Sequence, residues 1–253
     1  MTRPLQRWLP ASLAASAQGA CAVTLLFAIF ATPWSPRAAL IAGILLVVEL
    51  VLAVVVGAVA AEKATGTRRT ICLAIAIAAS FAFLGRISWT LAVLQTGVSP
   101  VRPLLGATTG VIMQITIMIG LTVVLARHRH RNWMRFEALI DALLLIVAVG
   151  MLVVQADLAP TESAGAAPLL QVIAMTWNVL AAANMVLVAL VLIWRGEALG
   201  ARLASGTSLG VVMLAMANFL YSRVVILDGA PLPRAVIVFW TLAEMCFIYA
   251  IAP

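Results

Sequence analysis

Five ionisable side chains fall inside long apolar runs of this 253-residue chain: Glu49, Arg86, Asp141, Arg223 and Glu244. A charge in hydrocarbon costs on the order of 3 kcal/mol on insertion scales, so each such group must be paired, hydrated or put to use. Two chemistries fit the pattern. Glu49 with Arg86, and Arg223 with Glu244, can form intramembrane ion pairs that fix helix register, or the four can line an outward-facing polar pocket. At ~1.5 Å per helical residue, Glu49 lies about 17 Å and Arg86 about 12 Å below the outer membrane edge, within reach of each other on adjacent helices. Gln114 stands eleven residues after Pro103, as Glu244 stands eleven after Pro233, and joins the candidate pocket at the same depth. Asp141 lies near the inner edge, within reach of Arg135 or the headgroups, and reads as structural.

Other polar residues in apolar runs are Gln18, Asn178, Asn184 and Asn218. They extend such a pocket, or they make interhelical hydrogen bonds worth ~0.6 kcal/mol each. Trp89, Trp177 and Trp240 pack in the core or face an apolar ligand. Cys21, Cys72 and Cys246 read as small buried hydrophobes. No Lys or His falls in a predicted span, which excludes a retinal-type Schiff base and paired-His haem ligation within the bundle. No phosphate-binding Gly loop, Cys/His zinc pattern or nucleophile with its base is visible. The expectation is therefore no catalytic residue, no metal and no cofactor.

These groups are positioned by the elements that dominate the composition. Hydrophobic residues make up 64% of the chain and charged ones 10%, against roughly 25% charged in soluble domains, so a globular aqueous protein is excluded. Eight runs reach the ~20 residues needed to cross a bilayer. They are Pro10–Ala31, Ala38–Ala61, Thr70–Leu94, Pro103–Ala126, Phe136–Gln155, Pro168–Trp194, Gly206–Leu227 and Pro233–Ala252. Breaks fall at Thr32 to Pro36, Glu62 to Thr67, Gly97 to Pro103, Ala159 to Ala167, Gly196 to Ser205 and Asp228 to Pro231, all rich in turn residues. The fold class is all-α, a single transmembrane domain over residues 1–253 with eight helices.

Basic residues set the orientation. With the N-terminus inside, Arg3, Arg7, Lys63, Arg68, Arg69, Arg127, Arg129, Arg131, Arg135, Arg195 and Arg202 fall on the cytoplasmic side, eleven in all, against three outside, Arg37, Arg102 and Arg234. Both termini are expected in the cytoplasm, and the loop from Asp157 to Ala167 outside. A net charge of +7 would suggest nucleic acid in a soluble protein, but here it lies at span edges. The run Arg127, Arg129, Arg131 and Arg135 is suited to anionic lipid headgroups. Arg3 and Arg7 precede an apolar run that continues to a full span, which reads as an uncleaved first helix rather than a signal peptide.

Internal similarity divides the chain in two. Phe81-Ala82-Phe83-Leu84-Gly85-Arg86 leads to Pro100-Val101-Arg102-Pro103, and Asn218-Phe219-Leu220-Tyr221-Ser222-Arg223 leads to Pro231-Leu232-Pro233-Arg234. Two four-helix units in the same orientation, residues 10–126 and 136–252, are the resulting expectation.

The segment Phe136-Glu137-Ala138-Leu139-Ile140-Asp141-Ala142-Leu143-Leu144-Leu145, running through an apolar helix to Leu158-Ala159-Pro160, resembles the multi-spanning N-terminal membrane regions of bacterial GGDEF/EAL cyclic-di-GMP signalling proteins, actinobacterial type. Arg223 to Gly229 and the closing Ala252-Pro253 fit the same arrangement, so the resemblance covers about the last two-thirds of the chain. The acidic residue usual near the end of the seventh helix is absent, as is the Tyr-Pro feature of the sixth. The resemblance implies a sensory module in the bacterial inner membrane that relays an extracellular or membrane signal to a cytoplasmic output, with no catalysis in this chain. It also implies a cytoplasmic signalling domain as partner, cut off after Pro253 or carried by a separate protein. Membrane lipids, an apolar or amphipathic small ligand and a second copy of the chain are further expected partners; nucleic acid is not. The alternatives are a transporter of a small or lipid-like solute and a membrane assembly or scaffold subunit.

Overall fold

The computed structural model describes residues 5–96, 104–126, 168–227 and 230–252, and within them every regular element is helical. In chain order these are α1 (Leu5–Phe30), α2 (Pro36–Lys63), α3 (Gly66–Thr96), α4 (Leu104–Ala126), α5 (Pro168–Leu199), α6 (Ala201–Tyr221), a π-helical stretch (Ser222–Leu227) and α7 (Arg234–Ile251). Seven helices are long and apolar enough to cross a membrane. The fifth predicted span, Phe136–Gln155, lies outside the described residues, as do Asp141 and the run Arg127, Arg129, Arg131 and Arg135.

Local signals explain the helix ends. Ser35 caps α2, its hydroxyl accepting from the Ala38 amide at 3.2 Å, and Pro36 occupies the first turn, where its missing N–H costs nothing. Two breaks are tighter than the sequence pattern suggests. Only Ala64 and Thr65 separate α2 from α3, and only Gly200 separates α5 from α6. Gly200 has φ 76° and Gly66 has φ 57°. Glycine reaches this left-handed region without a Cβ clash, so one residue reverses the chain where a longer polar loop is expected.

Consecutive helices pack side by side from α1 to α7, and α7 closes the ring against α1 while also touching α2 and α3. Glycines bring the axes close. A Cβ on Gly57 would stand 2.9 Å from that of Ala76, and one on Gly206 2.8 Å from that of Ala250. Gly43 lies against Trp89 and Gly57 against Ala76, so α2 and α3 run antiparallel. α4 and α5 run the same way: Gly110 meets Trp177, and Gln114 meets Asn184 further along both helices. In hydrocarbon there is no hydrophobic drive between helices, so such close contacts and polar bridges hold them together.

The surface is apolar, with Leu26, Phe30, Ile77, Leu94, Ile119 and Ile193 all exposed, as suits a lipid solvent. Inside, the buried apolar residues form two clusters. One contains Leu46, Trp89, Trp177, Tyr221 and Ile237; the other contains Leu50, Met113, Leu187, Leu214 and Phe247.

The ends of α7 and α1 are tied by arginines. Arg68 Nη2 donates to Ala252 O at 3.2 Å and Arg202 Nε to Tyr249 O at 2.8 Å, satisfying the last carbonyls of α7. At the other end of the bundle, Arg234 donates to Ile29 O and Ala31 O at 3.1 and 2.9 Å, doing the same for α1. A cation at a helix C-terminus also meets the negative end of its dipole.

Replacing Gly57 by Val will destabilise the α2–α3 crossing by about 1–3 kcal/mol through overpacking. Gly19→Ala, inside α1 at a position with nothing within 4 Å, will instead raise stability by up to about 1 kcal/mol, the helix-interior cost of glycine relative to alanine. Reversible unfolding in mixed detergent micelles measures both.

Candidate functional site

Arg86 sits in the middle of α3 with its guanidinium carbon 4.2 Å from the centre of the Trp240 ring and 5.5 Å from that of Trp89. Stacking of this kind contributes about 2 kcal/mol or more when desolvated. The residue is 9% exposed and lines a partly open cavity of ≈ 70 Å³. Arg86, Trp89, Trp177, Tyr221, Trp240 and Glu244 supply the cavity's aromatic and charged lining, and Leu50, Met113 and Leu214 line its apolar part.

Each wall has a local reason for its position. Trp89 fits because Gly43 on α2 has no side chain, since a Cβ there would lie 2.9 Å from the indole Cζ3. Trp177 lies flat against Gly110, where any Cβ would enter the indole itself. The floor between α3 and α4 is made by Gly85 against Gly106 and Thr109. Tyr221 is the last residue of α6 before the π-helical stretch, a widened turn of the kind often found at functional sites. Its ring packs edge-on to Trp177 at 5.4 Å and tilted to Trp240 at 5.2 Å.

The polar residues around the cavity are tied helix to helix. Trp240 Nε1 donates to Asn218 Oδ1 at 3.1 Å, joining α7 to α6. Ser222 Oγ donates to Asn178 Oδ1 at 2.9 Å, joining the π stretch to α5. Asn184 Nδ2 donates to Gln114 O at 3.0 Å and also to Gln114 Oε1, joining α5 to α4. Gln18 Nε2 donates to Met245 O at 2.8 Å, joining α1 to α7. Gln18, Gln114, Asn178, Asn184 and Asn218 are thus all members of interhelical bridges.

The charged residues divide. Arg86 and Glu244 face the same cavity. Glu49 is fully buried behind it, with Thr24 and Cys21 of α1 as polar neighbours, and Thr24 itself donates back to Ala20 O. Gln114 is buried in its bridge to Asn184. Arg223 is half-buried in the π stretch and does not line the cavity. Glu244 Oε2, Asn218 Nδ2 and the indole N–H groups of Trp89 and Trp177, all on residues that line the cavity, have no hydrogen-bond partner within the protein. Buried polar atoms without partners cost about 1–3 kcal/mol each, so the cavity carries a standing demand for water or a ligand. Among the described residues, no three His, Cys, Asp or Glu side chains are grouped to hold a metal ion.

Sequence reading passed over two contributors. Tyr221 appears there only within a repeated hexapeptide, and Gly43 has no motif around it. The signal for both is a contact between distant helices, which periodicity does not carry.

No protein-family model, curated protein or solved structure matches the chain.

Trp240→Ala removes both the platform under Arg86 and the bond to Asn218, and is expected to cost about 3–5 kcal/mol, as large aromatic deletions do. Trp240→Phe keeps a ring under the guanidinium and loses only the N–H, so its cost will be about 1 kcal/mol. The same detergent unfolding measurement separates the two variants.

Proposed function

We propose that this chain is a membrane-embedded sensory or input module that takes a small ligand in the Arg86 cavity and relays its occupancy to a cytoplasmic output. The observation that carries this reading is Arg86 itself, a guanidinium held on aromatic rings in the lining of a cavity. A purely register-fixing role would leave no polar atom over, whereas Glu244 Oε2 and Asn218 Nδ2, on residues that line the cavity, make no hydrogen bond within the protein. α7 is the relay. It contributes Trp240 and Glu244 to the cavity and packs on α1, α2, α3 and α6, and its last carbonyls are gripped by Arg68 and Arg202. A ligand that moves Trp240 therefore strains the far end of the same helix.

The proposal includes eight crossings in two four-helix units of like orientation, in the bacterial inner membrane, with both termini cytoplasmic. Its support is the parallel packing of α4 and α5, which obliges the chain between them to return from one end of the bundle to the other. Phe136–Gln155 is long enough to do so, twenty helical residues spanning about 30 Å. On the resemblance to GGDEF/EAL membrane regions, the output is cyclic-di-GMP signalling, and this chain performs no catalysis.

Two measurements test this. In proteoliposomes, acetate, benzyl alcohol and ethylamine are each expected to cross no faster than in empty vesicles, while at least one raises the thermal stability of the protein. Transport that Glu49→Gln or Glu244→Gln abolishes would instead make the chain a transporter. For orientation, a Cys-free background carrying Ser35→Cys should react with an impermeant maleimide in intact cells, and one carrying Arg69→Cys only after permeabilisation.

A further inference from the structure

We infer that the Arg86 cavity is a proton-binding site: Glu49 and Glu244 share one exchangeable proton at neutral pH, and Glu244 is the member through which it enters and leaves. The inference goes beyond the sensory reading and holds or fails separately from it, since a transporter would carry the same site equally well. Three observations combine.

The first is a charge count. Arg86 and Glu244 line the cavity, and Glu49, fully buried behind it, interacts electrostatically with both. Helix α7 packs on α1, α2, α3 and α6, and among the described residues the ionisable groups that these helices present to the cluster are Cys21, Glu49, Arg86 and Tyr221. Arg68 and Arg202, also on these helices, are engaged at the C-terminal end of α7. A thiol and a phenol are neutral acids and add no positive charge, and arginine does not give up its proton in proteins. Two carboxyls therefore face one fixed cation. Ionising both would leave a net negative charge in a low-dielectric interior, where like charges repel strongly. One proton on the pair balances the count, as in acid dyads that hold a single proton between them.

The second is an open oxygen. Glu244 is 8% exposed, and its Oε2 makes no hydrogen bond within the protein. An O–H bond formed there breaks no existing contact. Asn218 Nδ2, unpartnered on a fully buried residue of the same lining, is a donor available to a carboxylate or to water in the cavity.

The third is access. The cavity is partly open, and its ≈ 70 Å³ exceeds the ~10–15 Å³ that one water needs. Water entering it meets Glu244 in the lining and not Glu49, which is 0% exposed. The proton arrives on cavity water as hydronium and forms an O–H bond with a carboxylate oxygen, leaving water behind. The reverse step returns it, and nothing is oxidised or reduced.

The test uses the whole chain in nanodiscs at neutral pH, read by the infrared carbonyl stretch of protonated carboxyl groups. Asp141, the other acid in a predicted span, is replaced by Asn in every sample so that it adds no signal. One protonated carboxyl per chain is expected in this background, and transfer to heavy water should shift its band. Glu244→Gln and Glu49→Gln should each abolish the band, because a single acid opposite Arg86 stays ionised. Glu62→Gln, at an exposed position, should leave it unchanged. If one of the two cavity variants does not fold, the other and the parent band decide. Absence of the band, a band that survives either cavity substitution, or a band that heavy water does not shift would each overturn the inference. The expected bands without any thermal response to acetate, benzyl alcohol or ethylamine would leave the proton site standing and count against the sensory reading.

Discussion

A guanidinium stacked on tryptophan inside an apolar bundle is the interaction around which the rest is organised. Arg86 cannot stand in hydrocarbon alone, and the protein seats it on Trp240 and Trp89, with Glu244 lining the same cavity. That choice propagates outward. Trp240 must be oriented, which Asn218 does through its indole N–H; Trp89 must fit against α2, which Gly43 permits. Tyr221 fills the remaining angle, presented from the turn where α6 widens. The supports lie on α2, α3, α6 and α7, so the position of one cation depends on the packing of four helices.

The same arrangement separates two apolar cores by a belt of polar bridges. Gln18 to Met245, Asn184 to Gln114, Asn178 to Ser222 and Asn218 to Trp240 join consecutive pairs of neighbours around the bundle. Individually such bonds contribute only about 0.6 kcal/mol. Their value is in specificity, because sliding any helix by one turn would strand an amide in hydrocarbon.

Residue type was enough to pick out the members of this belt. Glu49, Arg86, Gln114, Asn178, Asn184, Asn218 and Glu244 stand out in any apolar run because polar groups are rare there, and all are buried. Pairing was legible only in part. Depth counting puts Glu49 and Arg86 within reach, and the two interact electrostatically, but depth says nothing of rotation about a helix axis, and it did not show that Glu49 also meets Cys21 and Thr24. Likewise Arg86 and Arg223 occupy matching places in a repeated hexapeptide, while one enters the cavity and the other lies half-buried in a π-helical turn. Repeats preserve pattern; the widened turn changes which face a residue presents.

What the sequence determined by itself is the solvent and the element type. Long apolar runs leave the backbone no partner but itself, and in a bilayer that requires helices. It also marked the residues too costly to bury without a purpose. Tertiary structure alone decided which of them meet. The cavity exists because glycines on α2, α3 and α4 admit two indoles and a close helix crossing, and because α7 packs against four other helices at once. These are contacts between residues far apart in the chain, set by side-chain shape and helix rotation, and neither quantity is written in a one-dimensional pattern of polarity.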